Sequence, residues 1–358
     1  MVTGAAGELG RRVVERLAAR PDVARVVALD VRRPADASDG KIQWRHVDLT
    51  RTPQPVDIRG ADGCIHLAWV DAAVQAGPVG AAAAAEANRV LLQRVLALAG
   101  EQLAAEGSAA GAVVHLSSGT VYGAWPDNPV PLGEDVPLRP NPQFAFAASK
   151  AEAEREVNEW AEDHPGIAVA ILRPCAVVGA GANPLYQALG GTRVARTDEG
   201  GRQVQYLHVD DLADAAVFAW AGRLRGVFNV APDLGIGEAT ARALAGGVAR
   251  VALPARLAQA AADLSWRLAG DGTPREAGPY ARHPWVLAPD RLRAEGWSAS
   301  FTSEEALVTT DERSHWDDLP PGKRQEFTLL VGVGALALGL LAATGAVVGF
   351  RRRSARSR

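Results

Sequence analysis

The chain is short of the residues that would commit it to several functional classes. Its 358 residues include two cysteines and one methionine. Cys64 and Cys175 sit in apolar runs, GCIHLAW and LRPCAVVG, which read as buried free thiols of a reducing compartment and exclude a disulfide framework. No metal-ligand spacing surrounds them, so no metal site is expected. Neither sign of charge dominates: 38 Lys+Arg stand against 41 Asp+Glu, a formal net charge of -3, with no basic footprint for nucleic acid. A charged N-terminal segment leading into an apolar stretch is lacking, so a secretory signal is not expected. No internal repeat period is found.

What is present is an alternation. VARVVALD, ADGCIHLAW, GAVVHLSS and IAVAILRP are nearly continuous in Val, Ile, Leu and Ala, as strands buried on both faces are. Between them ELGRRVVERLAAR, AAEANRVLLQRVLALAGEQLAAE and SKAEAEREVNEWAEDH carry helical period. Such βαβ alternation implies an α/β fold with a doubly wound parallel sheet. The boundaries expected are a nucleotide-binding domain over 1–175 and a smaller substrate lobe over 176–310, partly interleaved with the sheet, where the sequence turns richer in Gly and Pro. A polar linker with a Pro-Pro-Gly break occupies 311–326.

Residues 327–350 carry no charge and precede RRRSARSR, the basic tail 351–358. As a helix this run is about 36 Å long, enough to span a hydrocarbon core of roughly 30 Å. The alternative, a buried core helix, is disfavoured by its being apolar on every face and followed by five arginines. A single-pass membrane protein is therefore expected. The arginine tail favours a cytoplasmic C-terminus, whereas a cofactor-dependent domain without a signal belongs in the cytosol; we place the domain there. Gly345 and Gly349 form a GxxxG pair that allows two such helices to pack.

TGAAGELGRRVVERL places Gly4, Gly7 and Gly10 in a turn that opens a helix, where glycine lets the backbone approach a pyrophosphate at the helix N-terminus. A glycine triplet alone is as compatible with a plain turn. Asp30, about 20 residues on at the end of the next strand, is placed to hold the adenine ribose hydroxyls. Its charge favours NAD over NADP, with Arg32 and Arg33 keeping NADP open.

These motifs, followed in order by VDLT, CIHLAW, HLSSGTVYG, FAFAASK, LRPCAVVGAG and YLHVDDLADA, resemble the extended short-chain dehydrogenase/reductases, the NAD-dependent sugar epimerase/dehydratase family. The resemblance covers roughly residues 1–300 and implies a Rossmann-type sheet. It implies dinucleotide contacts from the loop (Gly4, Gly7, Glu8, Leu9, Gly10), from Asp30, from Asp48 and Leu49 near the adenine, and from Leu67 and Ala68 along the cleft. Ser118 would contact substrate, Lys150 would bind the nicotinamide ribose, and Arg173 and Pro174 would shape the nicotinamide side. His208 and Asp211 would belong to a mainly structural segment. Each residue taken singly also has an ordinary reading: Asp48 as a turn cap, Ser118 as a partner of backbone groups, Lys150 as a solvated helix residue.

Three departures stand out. The chain begins three residues before the glycine loop, which shortens the first strand, and an upstream start is expected. Phe146 holds the place of the family's tyrosine, whose phenol donates and accepts the proton. Val204 stands where related sugar-nucleotide enzymes often carry a phosphate-binding arginine, and Gly119 and Thr120 replace the acidic residues of a 4,6-dehydratase. Two functions follow as expectations: a membrane-tethered NAD(P)-dependent oxidoreductase or epimerase acting on a sugar nucleotide or related alcohol, impaired by the missing phenol, or a non-catalytic NAD-binding or sensing protein of the same fold. The resemblance also allows a homodimer.

Overall fold

The computed structural model describes residues 1–33, 40–51, 56, 58, 60–70, 77–103, 111–179, 194–196, 202–244, 251–253 and 275–309. Met1–Thr310 form one compact unit. The linker 311–326, the apolar run 327–350 and the tail 351–358 lie outside the described residues. Among the described residues, no helix is long and apolar enough to cross a membrane.

The apolar runs form a parallel sheet. Its strands are β1 (Val2–Thr3), β2 (Val26–Asp30), β3 (Ile42–His46), β4 (Gly63–His66), β5 (Ala112–Leu116) and β6 (Ala168–Pro174), with a seventh at Gly226–Val230. The order across the sheet is Gly226–Val230, β6, β5, β4, β1, β2, β3, and every pairing in it is parallel. The order therefore reverses at β1, which lies between β4 and β2. In open α/β sheets this switch point is where ligands bind, outside the strands' carboxyl ends.

Helices cover both faces. The helix α1 (Glu8–Ala19) buries Gly10, Val13, Val14 and Leu17, the i, i+3, i+4, i+7 stripe of one amphipathic face. Together with the helix Val209–Ala221 it packs over one face, around Val2, Ala28 and Val114. The helices α2 (Gly77–Leu103) and α3 (Ala145–Asp163) cover the other, where Leu92, Val95 and Val157 meet Val113 and Ile171. Cys64 and Cys175 are buried free thiols as expected, and burial pushes the Cys64 thiol up to about 11.

Beyond residue 175 the chain departs from the sheet and returns to it. Ala176–Val178 pairs with Tyr206–His208, and Gln203–Val204 pairs antiparallel with Ile236–Gly237. Gly226–Val230 then lies along β6. His208 and Asp211 serve structure here: His208 caps the following helix through its Nδ1, and the Asp211 carboxylate accepts the backbone N–H groups of Ser300 and Phe301 at 2.9 and 3.1 Å.

Candidate functional site

The glycine loop leaves β1 in a conformation that demands glycine. Gly4 has φ +70°, and a Cβ there would lie 2.7 Å from the backbone nitrogen of Ala68. At Gly10 a Cβ would lie 2.1 Å from the carbonyl oxygen of Gly4. The loop is thus folded against the first turn of α1 and against the segment after β4. Gly7 caps α1 in an extended conformation and lines the cleft described below, so α1 begins at that cleft with its N-terminus, the end of a helix that receives an anion. Glu8, in that first turn, pairs with Arg12, and Leu9 packs on the core.

Asp30 ends β2 beside this loop. Its carboxylate accepts the N–H of Ala6 at 3.0 Å and of Arg32 at 2.9 Å, which fixes it at the rim. Asp48 accepts from the hydroxyl of Thr50 at 2.6 Å and from its N–H at 2.9 Å, with Arg51 3.2 Å away. The Thr50 bonds hold its carboxyl below the usual range. One cleft is lined by Gly4, Gly7, Asp30, Asp48, Leu49, Leu67 and Ala68 together. Thr50, Trp69 and Val70 line it too, without having been assigned from sequence. Trp69 was visible as the last residue of CIHLAW, but nothing in one sequence says what an aromatic there faces.

At the carboxyl end of β5, Ser118 caps a single 3-10 turn, Gly119–Tyr122, its Oγ accepting from the N–H and the hydroxyl of Thr120 at 3.2 and 2.9 Å. The buried face of α3 carries Ala147, Lys150, Ala153, Glu154 and Val157. Two of these are ionisable, so each must be compensated. Lys150 donates to the carbonyl of Leu116 at 2.8 Å, and its Nζ lies 3.6 Å from the ring centre of Trp69. Phe146, one turn earlier, sits edge-on to Trp69 with ring centres 5.9 Å apart and 79° between planes. Its own ring centre is 5.9 Å from the Lys150 ammonium. Position 146 and Lys150 therefore share one corner with Trp69.

Arg173 and Pro174, at the end of β6, are buried. The Arg173 guanidinium turns to Glu154, with contacts of 2.6 to 3.1 Å, and donates to the Tyr122 hydroxyl at 2.7 Å. Tyr122 in turn donates to Asn229 at 2.9 Å, and burial raises its pKa, so its phenol is fully engaged in this network. Tyr280 reaches in from far along the chain: it donates to the carbonyl of Thr120 at 2.6 Å and packs on Phe144, with its pKa raised by burial. Neither phenol stands in the place of residue 146.

Beneath Lys150, His66 of β4 and His115 of β5 lie side by side, ring centres 5.4 Å apart. His66 shares a hydrogen bond with the Thr3 hydroxyl at 2.7 Å, whereas neither ring nitrogen of His115 has a partner among the described residues. Burial, then the charge of Lys150, pushes His66 down to about 3; burial, His66 and Lys150 hold His115 well below the ordinary imidazole value. Both rings are neutral in the fold, and protons bind the unfolded chain more readily. Stability is therefore complete above about pH 6.5 and is lost as the pH falls from there towards 3, by about 1.4 kcal/mol per unit for each imidazole. Urea unfolding at pH 7, 6 and 5 should show this slope, and His115→Phe should flatten it by one proton; an unchanged slope in the variant would show that His115 titrates normally.

Among the described residues no group of His, Cys, Asp and Glu could hold a metal. The model of the NAD dependent epimerase/dehydratase family matches residues 1–231. An uncharacterized protein of Mycobacterium tuberculosis (strain ATCC 25618 / H37Rv) is 28% identical over 318 residues, covering 86% of this chain and 81% of that protein. Among solved structures, the fold is similar to a UDP-glucose 4-epimerase of Thermus thermophilus in complex with NAD, with TM-score 0.61, 23% identity, and 87% of this chain and 97% of that chain covered. It is also similar to a dTDP-glucose 4,6-dehydratase double mutant of Streptomyces venezuelae with NAD and DAU bound, with TM-score 0.62, 24% identity, and 89% and 99% covered.

Proposed function

Because the chain belongs to the NAD-dependent epimerase/dehydratase family, we propose that it is a membrane-tethered, NAD-dependent oxidoreductase or epimerase acting on a sugar nucleotide or related alcohol, slowed by the absence of a phenol at position 146. The observation that carries the reading is the single cleft that brings the glycine loop, Asp30 and Asp48 to the switch point of the sheet. The residues fit a dinucleotide: glycine at 4 and 10 lets the loop fold tightly against Ala68 and the start of α1, and Gly4, Gly7 and the Asp30 carboxylate then line one cleft.

In this reading the loop and the α1 N-terminus take the pyrophosphate, and Asp30 takes the ribose hydroxyls while repelling a 2′-phosphate. Lys150 orients the second ribose, and Ser118 orients the substrate hydroxyl. The cofactor, when bound, supplies hydride acceptance and donation. What this chain does not place at position 146 is a group that moves the proton, since a phenyl ring has none to give. The two epimerase and dehydratase structures, whose names carry UDP-glucose and dTDP-glucose, support sugar nucleotides as the first substrates to try.

The uncharged stretch 327–350 supports a single membrane crossing with the domain on the cytoplasmic side. Pairing of such helices through Gly345 and Gly349 is consistent with a homodimer. Calorimetric titration of the detergent-solubilised chain is expected to show NAD binding, much weaker NADP binding, and neither in Gly10→Ala; no heat with either dinucleotide in the wild type would refute the reading. In membranes not treated with detergent, the chain should stay with the pellet on alkaline extraction.

The second reading is a protein that holds NAD as a sensing or structural ligand without turnover. Phe146 favours it, and the retention of Ser118 and Lys150 favours the first.

A further inference from the structure

In this family reading, Lys150 needs a fixed position, and a phenol at 146 would help to provide it. Phe146 offers no oxygen. Besides the Leu116 carbonyl, which accepts from it at 2.8 Å, the ammonium meets the face of Trp69, 3.6 Å from the ring centre, inside the range over which an indole attracts a cation. The indole is itself built in place. On its N-terminal side the backbone N–H of Ala68 reaches the Thr3 hydroxyl at 3.4 Å. On its C-terminal side the buried Asn88 side chain clamps Val70, accepting from its N–H at 2.8 Å and donating to its carbonyl at 3.1 Å. Phe146 braces the indole edge-on. Three elements, β1, α2 and α3, therefore fix a side chain that also lines the dinucleotide cleft.

We propose that Trp69 is the positioning residue for Lys150: together with the Leu116 carbonyl, its indole face holds the ammonium beside the dinucleotide cleft that Trp69 lines, in the role that the missing hydroxyl at position 146 would share. Phe146 is on this account a brace for Trp69 as well as a lost acid. The inference rests on the cofactor reading given above, but the contact itself can be tested without any dinucleotide.

The chain contains three lysines, Lys41, Lys150 and Lys323, so selective lysine labelling of the full, detergent-solubilised protein gives a spectrum that Lys150→Arg assigns. The Lys150 ε-methylene protons are expected upfield of the other two, shifted by the indole ring current, and to return to the ordinary position in Trp69→Leu. NAD affinity should fall between about 2-fold and 30-fold in Trp69→Leu, the range of a cation–π contact from exposed to desolvated, and Trp69→Phe should recover part of the loss because it keeps a π face. A wild-type Lys150 resonance level with Lys41 and Lys323 overturns the proposal. So does a folded Trp69→Leu that binds NAD as tightly as the wild type. Should Trp69→Leu fail to fold, the wild-type shift and the graded affinity of Trp69→Phe decide. A wild type with the shifted lysine but no dinucleotide binding overturns instead the cofactor reading and the role given to the held lysine, while the contact stands.

Discussion

Glu154→Ala is expected to destabilise the compact unit by about 3–5 kcal/mol, the loss typical of removing one partner of a buried ion pair. The Glu154 and Arg173 side chains are 1% and 6% exposed, so the guanidinium left behind could not recover its hydration. Glu154 also accepts from the Ser117 hydroxyl, and Arg173 continues to Tyr122 and on to Asn229. The pair thus ties α3 to β6, the carboxyl end of β5 and the strand Gly226–Val230. Burial pulls the Arg173 pKa down, but the hydrogen bonds and charge of Glu154 outweigh it and leave it raised. Arg173 cannot escape the loss by giving up its proton. Urea denaturation should show a lower midpoint at similar slope. The double variant Glu154→Leu with Arg173→Met should recover much of the stability, since an apolar pair asks for no hydration. A loss in Glu154→Ala below about 1 kcal/mol would place the pair among weak surface bridges instead.

That network shows why some of the fold was legible and some was not. β2, β4, β5 and β6 were readable because strands buried on both faces must be apolar throughout, and VVALD, GCIH, AVVHL and AVAILRP are close to that limit. The edge strand β3, IQWRH, is half-exposed and mixed in composition, so no run of apolar residues marks it. The glycine loop and Asp30 were legible because their spacing follows from backbone geometry, and the cleft gathers them. Glu154 was not: within AEAEREVNEWAED it looks like any solvated helix charge, and only the packing of α3 on β6 selects it for burial. Sequence resemblance sets Arg173 beside the nicotinamide; the structure directs its guanidinium inward to Glu154. Trp69 acts between elements far apart in sequence, and Tyr280 acts across 160 residues of chain. Such contacts leave no local pattern.

Phe146→Tyr is expected to raise turnover on a sugar-nucleotide substrate by about 10²- to 10⁴-fold, the usual contribution of a positioned acid or base. Everything around position 146 is arranged for such a gain. Residue 146 shares the corner with Lys150, whose positive charge would favour the phenolate and so bring the pKa of a new phenol down towards the working range. Ser118 lies at the carboxyl end of the adjacent strand β5. The tyrosine ring would keep the edge-on contact that braces Trp69, so the substitution adds an oxygen without removing the support of the lysine. The two phenols already near, Tyr122 and Tyr280, are engaged with Arg173 and Asn229 and with Thr120, and burial raises both pKa values, which unfits them for trading protons. Steady-state rates of the wild type and variant on a panel of sugar nucleotides, with NAD binding measured beside them, separate the readings. A large gain identifies the native chain as an enzyme or former enzyme limited at one proton transfer. Robust wild-type turnover with no gain would mean that another group, such as the Ser118 or Thr120 hydroxyl of the turn after β5, already moves the proton. NAD binding with no turnover in either form would favour the sensing protein, because the same cleft would then hold its ligand with no chemistry to follow.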